Sequence, residues 1–214
     1  MANLAAYRTR IQNSLDDTNS KYSDAIIDEA LRKTLNEYTR ANPNILTVEF
    51  TVTTAGRIQT LLTSNMIAII QLVHPYTSTL TDPFAYERED FTLSYTNGSP
   101  TLYFTGQDIP QVTEKIYFKY AGKQLIEDLD AAASSTIRDD HEDILIVGAS
   151  GQAAMMRASG LVEQWGGRPG EMGALMTWGT RQYARFLDFL IEVKQEPVFP
   201  IFPSSFWPID EWDN

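Results

Sequence analysis

The chain contains no cysteine. That removes disulfides, thiol chemistry and cysteine-ligated metals from consideration, and leaves a reducing compartment allowed but not proved. Histidine is almost as scarce, with only His74 and His141 present. No apolar run approaches the roughly eighteen residues needed to cross a bilayer, so no membrane role is expected. Basic residues are the minority, 17 Lys and Arg against 28 Asp and Glu, for a formal net charge of −11. Phosphate neutralisation by cations supplies most of the affinity of proteins that wrap nucleic acid, and here the cations are both few and scattered. The balance remains compatible with a surface past which DNA slides without sticking. The opening MANLAAYRTRIQNSLDD puts arginines where a signal peptide needs a long apolar stretch, so it reads as a helix.

What is present suffices for a sizeable core: 214 residues, 43% of them hydrophobic and 21% charged, as in soluble globular proteins. Leu4, Tyr7, Ile11 and Leu15 recur at helical spacing, with Arg8, Arg10 and Gln12 on the other side. Asp16 to Asn19 break this first helix. Ser23 then stands as an N-cap with Asp24 in the first turn, where the helix dipole favours a carboxylate. Ile27, Ala30, Leu31, Thr34, Leu35 and Tyr38 form the stripe of a second helix, which stops before Asn42-Pro43. From Leu46 the period becomes two, with Leu46, Val48, Phe50 and Val52 alternating against Thr47, Glu49, Thr51 and Thr53. Further strands are expected over 58–62, 66–73 and 115–120. A hairpin is expected at Asn97-Gly98, between 91–95 and 102–104.

After a polar connection over 122–138 the helical period returns, in one helix over 141–165 and another over 171–194. Met172, Met176, Gly179, Tyr183, Phe186 and Leu190 recur at near-heptad spacing, which directs the last helix onto another helix. The third helix is crowded with small residues, and each glycine inside a helix costs about 1 kcal/mol relative to alanine. A neighbouring backbone approaching Gly148, Gly151 and Ala154 explains that cost. Trp165 and Trp178 should flank the interhelical turn. The fold class expected is α+β: a bundle of about four helices with an inserted small antiparallel β domain and an extended C-terminal arm. Its parts are a helical pair at 1–43, the β domain at 44–122, a second helical pair at 123–196 and the arm at 197–214.

The arm reads PVFPIFPSSFWPIDEWDN and holds four of the ten prolines. Proline lacks a backbone donor and pushes the preceding residue towards extended geometry, so the segment is neither helix nor central strand. Solvated tails are poor in aromatics; this one is rich in them. Phe199, Ile201, Phe202, Phe206, Trp207, Ile209 and Trp212 are therefore the candidate partner-binding residues, on another subunit rather than on their own domain. The acidic Asp210, Glu211 and Asp213 would set the register against a basic patch.

No catalytic constellation emerges. His74, before Pro75 at the end of a strand, reads as a loop residue. His141 stands among Asp139, Asp140, Glu142 and Asp143 but has no second histidine one turn on, as a metal-binding HExxH requires. Acidic groups at a positive helix N-terminus explain that cluster better. Gly148-Ala149-Ser150-Gly151 is not a GxSxG nucleophile elbow, and Gly166-Gly167-Arg168-Pro169-Gly170 lacks the Lys-Ser/Thr of a phosphate loop. Asp16-Asp17 and Glu127-Asp128 have a surface character and no general acid beside them. No enzyme, metal or cofactor is expected.

LAAYRTRIQNSLDD, then KYSDAIIDEALRKTLNEYTRANP, resembles the opening of head-to-tail adaptor (connector) proteins of tailed bacteriophages. Tyr22, Ser23, Asp24, Leu31, Asn36, Tyr38 and Arg40 carry that similarity. IEDLDAAASSTIRDDHEDILIVGASGQAAMMRAS is similar to the later part of the same family, where a Thr- and Ala-containing loop precedes an acidic-His helix start. About half of the chain is covered. The resemblance implies a structural virion protein at the head–tail interface, assembled in the host bacterial cytoplasm. Its copies would form a dodecameric ring below the portal protein, with a tail or stopper protein on the other side. DNA would pass through the central channel without sequence-specific binding, and the C-terminal segment would reach the portal. Two alternatives compete. A tail-completion or stopper protein would be mainly β, and a ligand-binding module would use the β domain.

Overall fold

The computed structural model describes residues 2–17, 21–61, 65–77, 88–96, 99–163 and 169–195. Among them are four α-helices and six strands, an α+β protein. The chain divides into two compact units. One joins Met1–Asn42 to Arg138–Asn214, and the other is Pro43–Ile137.

The helical unit begins with α1, Leu4–Ser14, whose N-cap Asn3 accepts a hydrogen bond from the Ala6 N–H at 3.0 Å. Leu4, Tyr7 and Ile11 are its buried face, as their spacing required. Asp16 ends the helix in the left-handed region at φ 49°. The Asp17 carboxylate then accepts from the backbone N–H groups of Lys21 and Tyr22 at 2.6 and 3.0 Å, closing the turn. In α2, Asp24–Ala41, the Ser23 side chain caps the Ile26 N–H and all six stripe residues are buried.

The two remaining helices are α3, Glu142–Glu163, entered through a 3-10 turn at Asp139–His141, and α4, Pro169–Gln195. α3 packs against all three others and most extensively against α4. A Cβ placed on Gly151 would sit 2.7 Å from the Gly179 carbonyl oxygen and 2.8 Å from the Tyr183 nitrogen. One placed on Gly179 would sit 2.8 Å from the Gly151 carbonyl oxygen. These two glycines therefore form a backbone-to-backbone crossing. Gly148 departs from the expectation: its neighbours are the Phe186 ring and the Thr34 methyl, so side chains rather than backbone fill the space. Met176 also departs, being 42% exposed. At 3.6 residues per turn it lies about 60° around the helix from Gly179, off the buried line.

The β unit contains two three-stranded antiparallel sheets. Strands β1 (Asn44–Thr51), β6 (Lys115–Gly122) and β3 (Met66–Val73) form one in the order β1-β6-β3. Strands β2 (Ile58–Thr60), β5 (Ser99–Phe104) and β4 (Phe91–Thr96) form the other in the order β2-β5-β4. Thr96 pairs with Ser99, as the Asn97-Gly98 signal demands, although those two residues lie outside the described ones. Leu72, Leu102, Phe104, Ile116 and Phe118 are buried in one cluster to which both sheets contribute. Leu46 is the exception on β1, 37% exposed near the strand's start instead of facing the cluster. The connection expected to be polar is partly core, since Ile126, Leu129 and Ile137 are buried. Hydrogen bonds from Leu125 N–H to Thr136 Oγ1 and from Glu127 N–H to Ser135 Oγ hold it at 2.8 and 2.9 Å. Thr and Ser satisfy the backbone here, so polar composition does not mark a solvated linker.

Candidate interaction surface

α4 carries two apolar lines on different sides. The inner one, through Gly179, Phe186 and Leu190, is buried against the rest of the helical unit. The outer one runs through Met176, Thr180, Ala184, Leu187 and Ile191, all exposed, with Ile191 at 57%. Steps of three and four residues keep these five on one stripe. Arg181, Arg185, Asp188 and Glu192 are exposed along one flank. At the head of the stripe Gly173 is exposed and has open space where a Cβ would stand. Its helical cost, unlike that of Gly151 and Gly179, is not offset by a close contact among the described residues.

Ion pairs join the other helices of the unit. The Arg8 guanidinium donates to both carboxylate oxygens of Asp28 at 2.8 and 2.7 Å and to Asp24 at 2.9 Å, joining α1 to α2. Arg10 donates to Glu142 at 3.0 Å and pairs with Asp143, joining α1 to α3. The carboxylates at the start of α3 thus hold another helix as well as suiting the dipole, and Arg8 and Arg10 are bridging rather than solvated. Sequence periodicity showed their side of the helix but not their partners.

His141 is buried. Asn42 Nδ2 donates to the Tyr38 hydroxyl at 2.7 Å, and that hydroxyl is hydrogen-bonded to His141 Nδ1 at 2.6 Å. The Phe189 ring packs edge-on against it at 5.0 Å. Enclosed and committed to Tyr38, His141 acts as a structural link between α2 and α3. His74 follows β3 in a loop as expected, yet it is 3% exposed, with Nε2 3.0 Å from the Glu114 carboxylate. A shallow surface depression of about 560 Å³ lies beside it, lined in part by Gln107, Asp108 and Glu114. Among the described residues no group of three or more His, Asp or Glu is placed to hold a metal. Nor is any helix among them long and apolar enough to cross a membrane.

Phe199, Ile201, Phe202, Phe206, Trp207, Ile209 and Trp212 lie outside the described residues, as does Trp165. Trp178 is half-buried on α4. The outer stripe of α4 is the surface that sequence reading missed. Its signal was there in the second set of three- and four-residue steps, masked by the stronger inner line.

No protein-family model matches the chain, and no curated protein matches it. One solved structure, described as the neck of an empty GTA particle computed with C6 symmetry, is similar over 83% of this chain and 88% of that chain. The identity is 14% and the TM-score 0.30, a likeness too slight to carry an argument.

Proposed function

We propose that this chain is a structural subunit of a tailed-phage particle, a head-to-tail adaptor and not an enzyme. Copies assemble as a ring, dodecameric on the family resemblance, between the portal protein and a tail or stopper protein. DNA crosses the ring without being read. The observation that carries this reading is the convergence of the two sequence segments that resemble the family. They are separated by residues 44–125 of the β unit, yet residues 4–17 and 21–42 of the first and 138–159 of the second fold together in the helical unit. Tyr38 meets His141 at 2.6 Å, the Arg157 guanidinium lies 4.9 Å over the Tyr22 ring, and Arg10 is paired with Glu142. Residues of the two segments thus pair with one another across the bundle. A net charge of −11 suits a passage that repels phosphate over the 8–10 Å or so that charges act at physiological salt.

In this reading the arm engages a partner subunit, through aromatics of the kind that dominate interface energetics. Deleting residues 197–214 should leave the melting temperature of the isolated protein unchanged and abolish its attachment to portal-bearing heads. Unfolding or precipitation of the truncated chain would assign the arm to its own core and defeat the proposal. Sedimentation of the intact chain should show 24.1 kDa monomers until a portal templates the ring.

A further inference from the structure

The inner line of α4 loses its cover towards the start of the helix. Phe186, Leu190 and Val193 are buried, and Gly179 is the first buried residue described from that start. Met172 and Leu175 continue the line in steps of three and four residues, yet both are only half-buried. The other residues over 170–177 are exposed. The facing end of α3 is similar, with Ala158 its last buried residue described and Ser159 and Gly160 exposed. A Cβ on Gly160 or on Gly173 would meet nothing within 4 Å. Glycine weakens a helix relative to alanine, and at these two positions no close approach offsets the loss. One charged side chain fastens this end. The Arg157 guanidinium of α3 lies 4.9 Å over the Tyr22 ring and 3.6 Å from the Glu171 carboxylate. Tyr22 is buried in the connection between α1 and α2, and its N–H is held by Asp17. Arg157 therefore has a fixed seat on one side, and on the other a half-exposed partner in the first turn of α4.

We propose that residues 170–178 of α4 open and close as a unit while the bundle from Gly179 onwards stays folded, and that Arg157 is the latch. Segments with few buried apolar contacts open locally at lower free energy than the core they adjoin. The boundary is set by the glycine crossing, where Gly151 and Gly179 meet backbone to backbone. Unwinding cannot pass that point without breaking the closest contact between α3 and α4. With the latch shut, Met172, Leu175 and Trp178 stay half covered. With it open, Arg157 keeps Tyr22 and loses only Glu171, and the three apolar side chains are released to solvent. The step is small and reversible because it breaks one ion pair and little packing. It depends neither on ring assembly nor on the arm.

Hydrogen exchange of the full chain, followed amide by amide at neutral pH, tests this. The first amides of a helix have no partner within it, so the comparison is between residues 173–178 and 183–190. The first set should exchange at least roughly tenfold faster, with a weaker dependence on urea because its opening exposes little surface. Arg157→Met keeps an apolar stem and removes the charge. It should speed the first set several-fold and leave the second unchanged. Gly173→Ala should slow the first set by about fivefold, the equivalent of the helical preference of alanine over glycine. Equal rates in the two sets, or equal urea dependence, would overturn the proposal. So would an Arg157→Met chain that exchanges like the wild type, or one in which both sets speed up together. Should Arg157→Met fail to fold, Glu171→Gln removes the other half of the latch at a half-exposed side chain, and the same outcomes decide.

Discussion

In the helical unit, polar contacts join residues far apart in the chain: Ala2 and Arg10 both reach Glu142, and Tyr38 reaches His141. In the β unit many are local, such as Arg88 with Asp90, Gln59 with the Thr54 carbonyl, and Gln111 with Glu114. The apolar contacts differ as well. The helical unit depends on the glycine crossing at Gly151 and Gly179, where backbone meets backbone. The β unit depends on the filling of one cluster by large side chains such as Phe104 and Phe118. A bundle interrupted by an insertion has to recognise its second half after the first has been made. Close approach and charge pairing supply that recognition. A sheet unit that closes within one stretch of chain needs only volume and alternation.

The comparison breaks most sharply at Phe118 and Gly151. Phe118→Ala removes a ring from the β cluster and should cost about 3–5 kcal/mol in urea unfolding. A loss under about 1 kcal/mol, the central tendency for point changes in general, would show that volume does not control that unit. Gly151→Leu adds volume where none exists and should cost about 1–3 kcal/mol or more. Gly173→Ala, also within a helix but facing open space, should have the opposite sign and raise stability by about 1 kcal/mol. Equal melting temperatures for these two glycine variants would refute the claim that the crossing is tight.

Acid sharpens the contrast on the β side. The Arg88 guanidinium, bonded to both Asp90 oxygens at 2.6 Å, holds that carboxyl below its ordinary value. The stability contributed by Asp90 is complete above the ordinary carboxylate range and is lost as the pH falls through the lowered folded value. Asp90→Asn should therefore flatten that part of the acid limb. Asp90 is partly exposed, so the effect at neutral pH should be no more than about 1 kcal/mol. An unchanged acid limb in the variant would show the pair to be inert.

The helices and their caps were legible because Ser23, Asp24 and the 3.6-residue stripe act locally, and the Asn97-Gly98 hairpin was legible for the same reason. The Gly151 crossing was legible from its cost, since a glycine in mid-helix needs a compensating contact. Other features depend on partners remote in sequence, and no local pattern encodes those. Gly148 meets Phe186 and Thr34, His141 meets Tyr38, and Ile126 and Leu129 turn inwards beneath a polar-looking loop. The outer stripe of α4 was written in the sequence, but exposure was needed to separate it from the inner line. The arm residues were singled out by composition alone, and they lie outside the described residues.

The smallest expected effect tests how completely the helical unit satisfies its polar groups. Tyr7 is fully buried on α1, yet its hydroxyl has no hydrogen-bond partner among the described residues. Burial, reinforced by the charge of Glu142, pushes its ionisation well above the usual tyrosine range. A buried hydroxyl left unpaired costs about 1–3 kcal/mol of desolvation, so removing the oxygen should not weaken the fold. Tyr7→Phe is therefore expected to leave the melting temperature unchanged or to raise it slightly, against the general rule that core substitutions destabilise. The raised ionisation gives a second signature. The preference for neutral Tyr7 is complete below the ordinary tyrosine range and is lost as the pH climbs through the higher folded value. The wild type should thus lose stability at strongly alkaline pH, and the Phe variant should lack that part of the decline. A clear destabilisation in Tyr7→Phe at neutral pH would mean that the hydroxyl has a partner, and that the helical unit pairs its buried polar groups more fully than its contacts show.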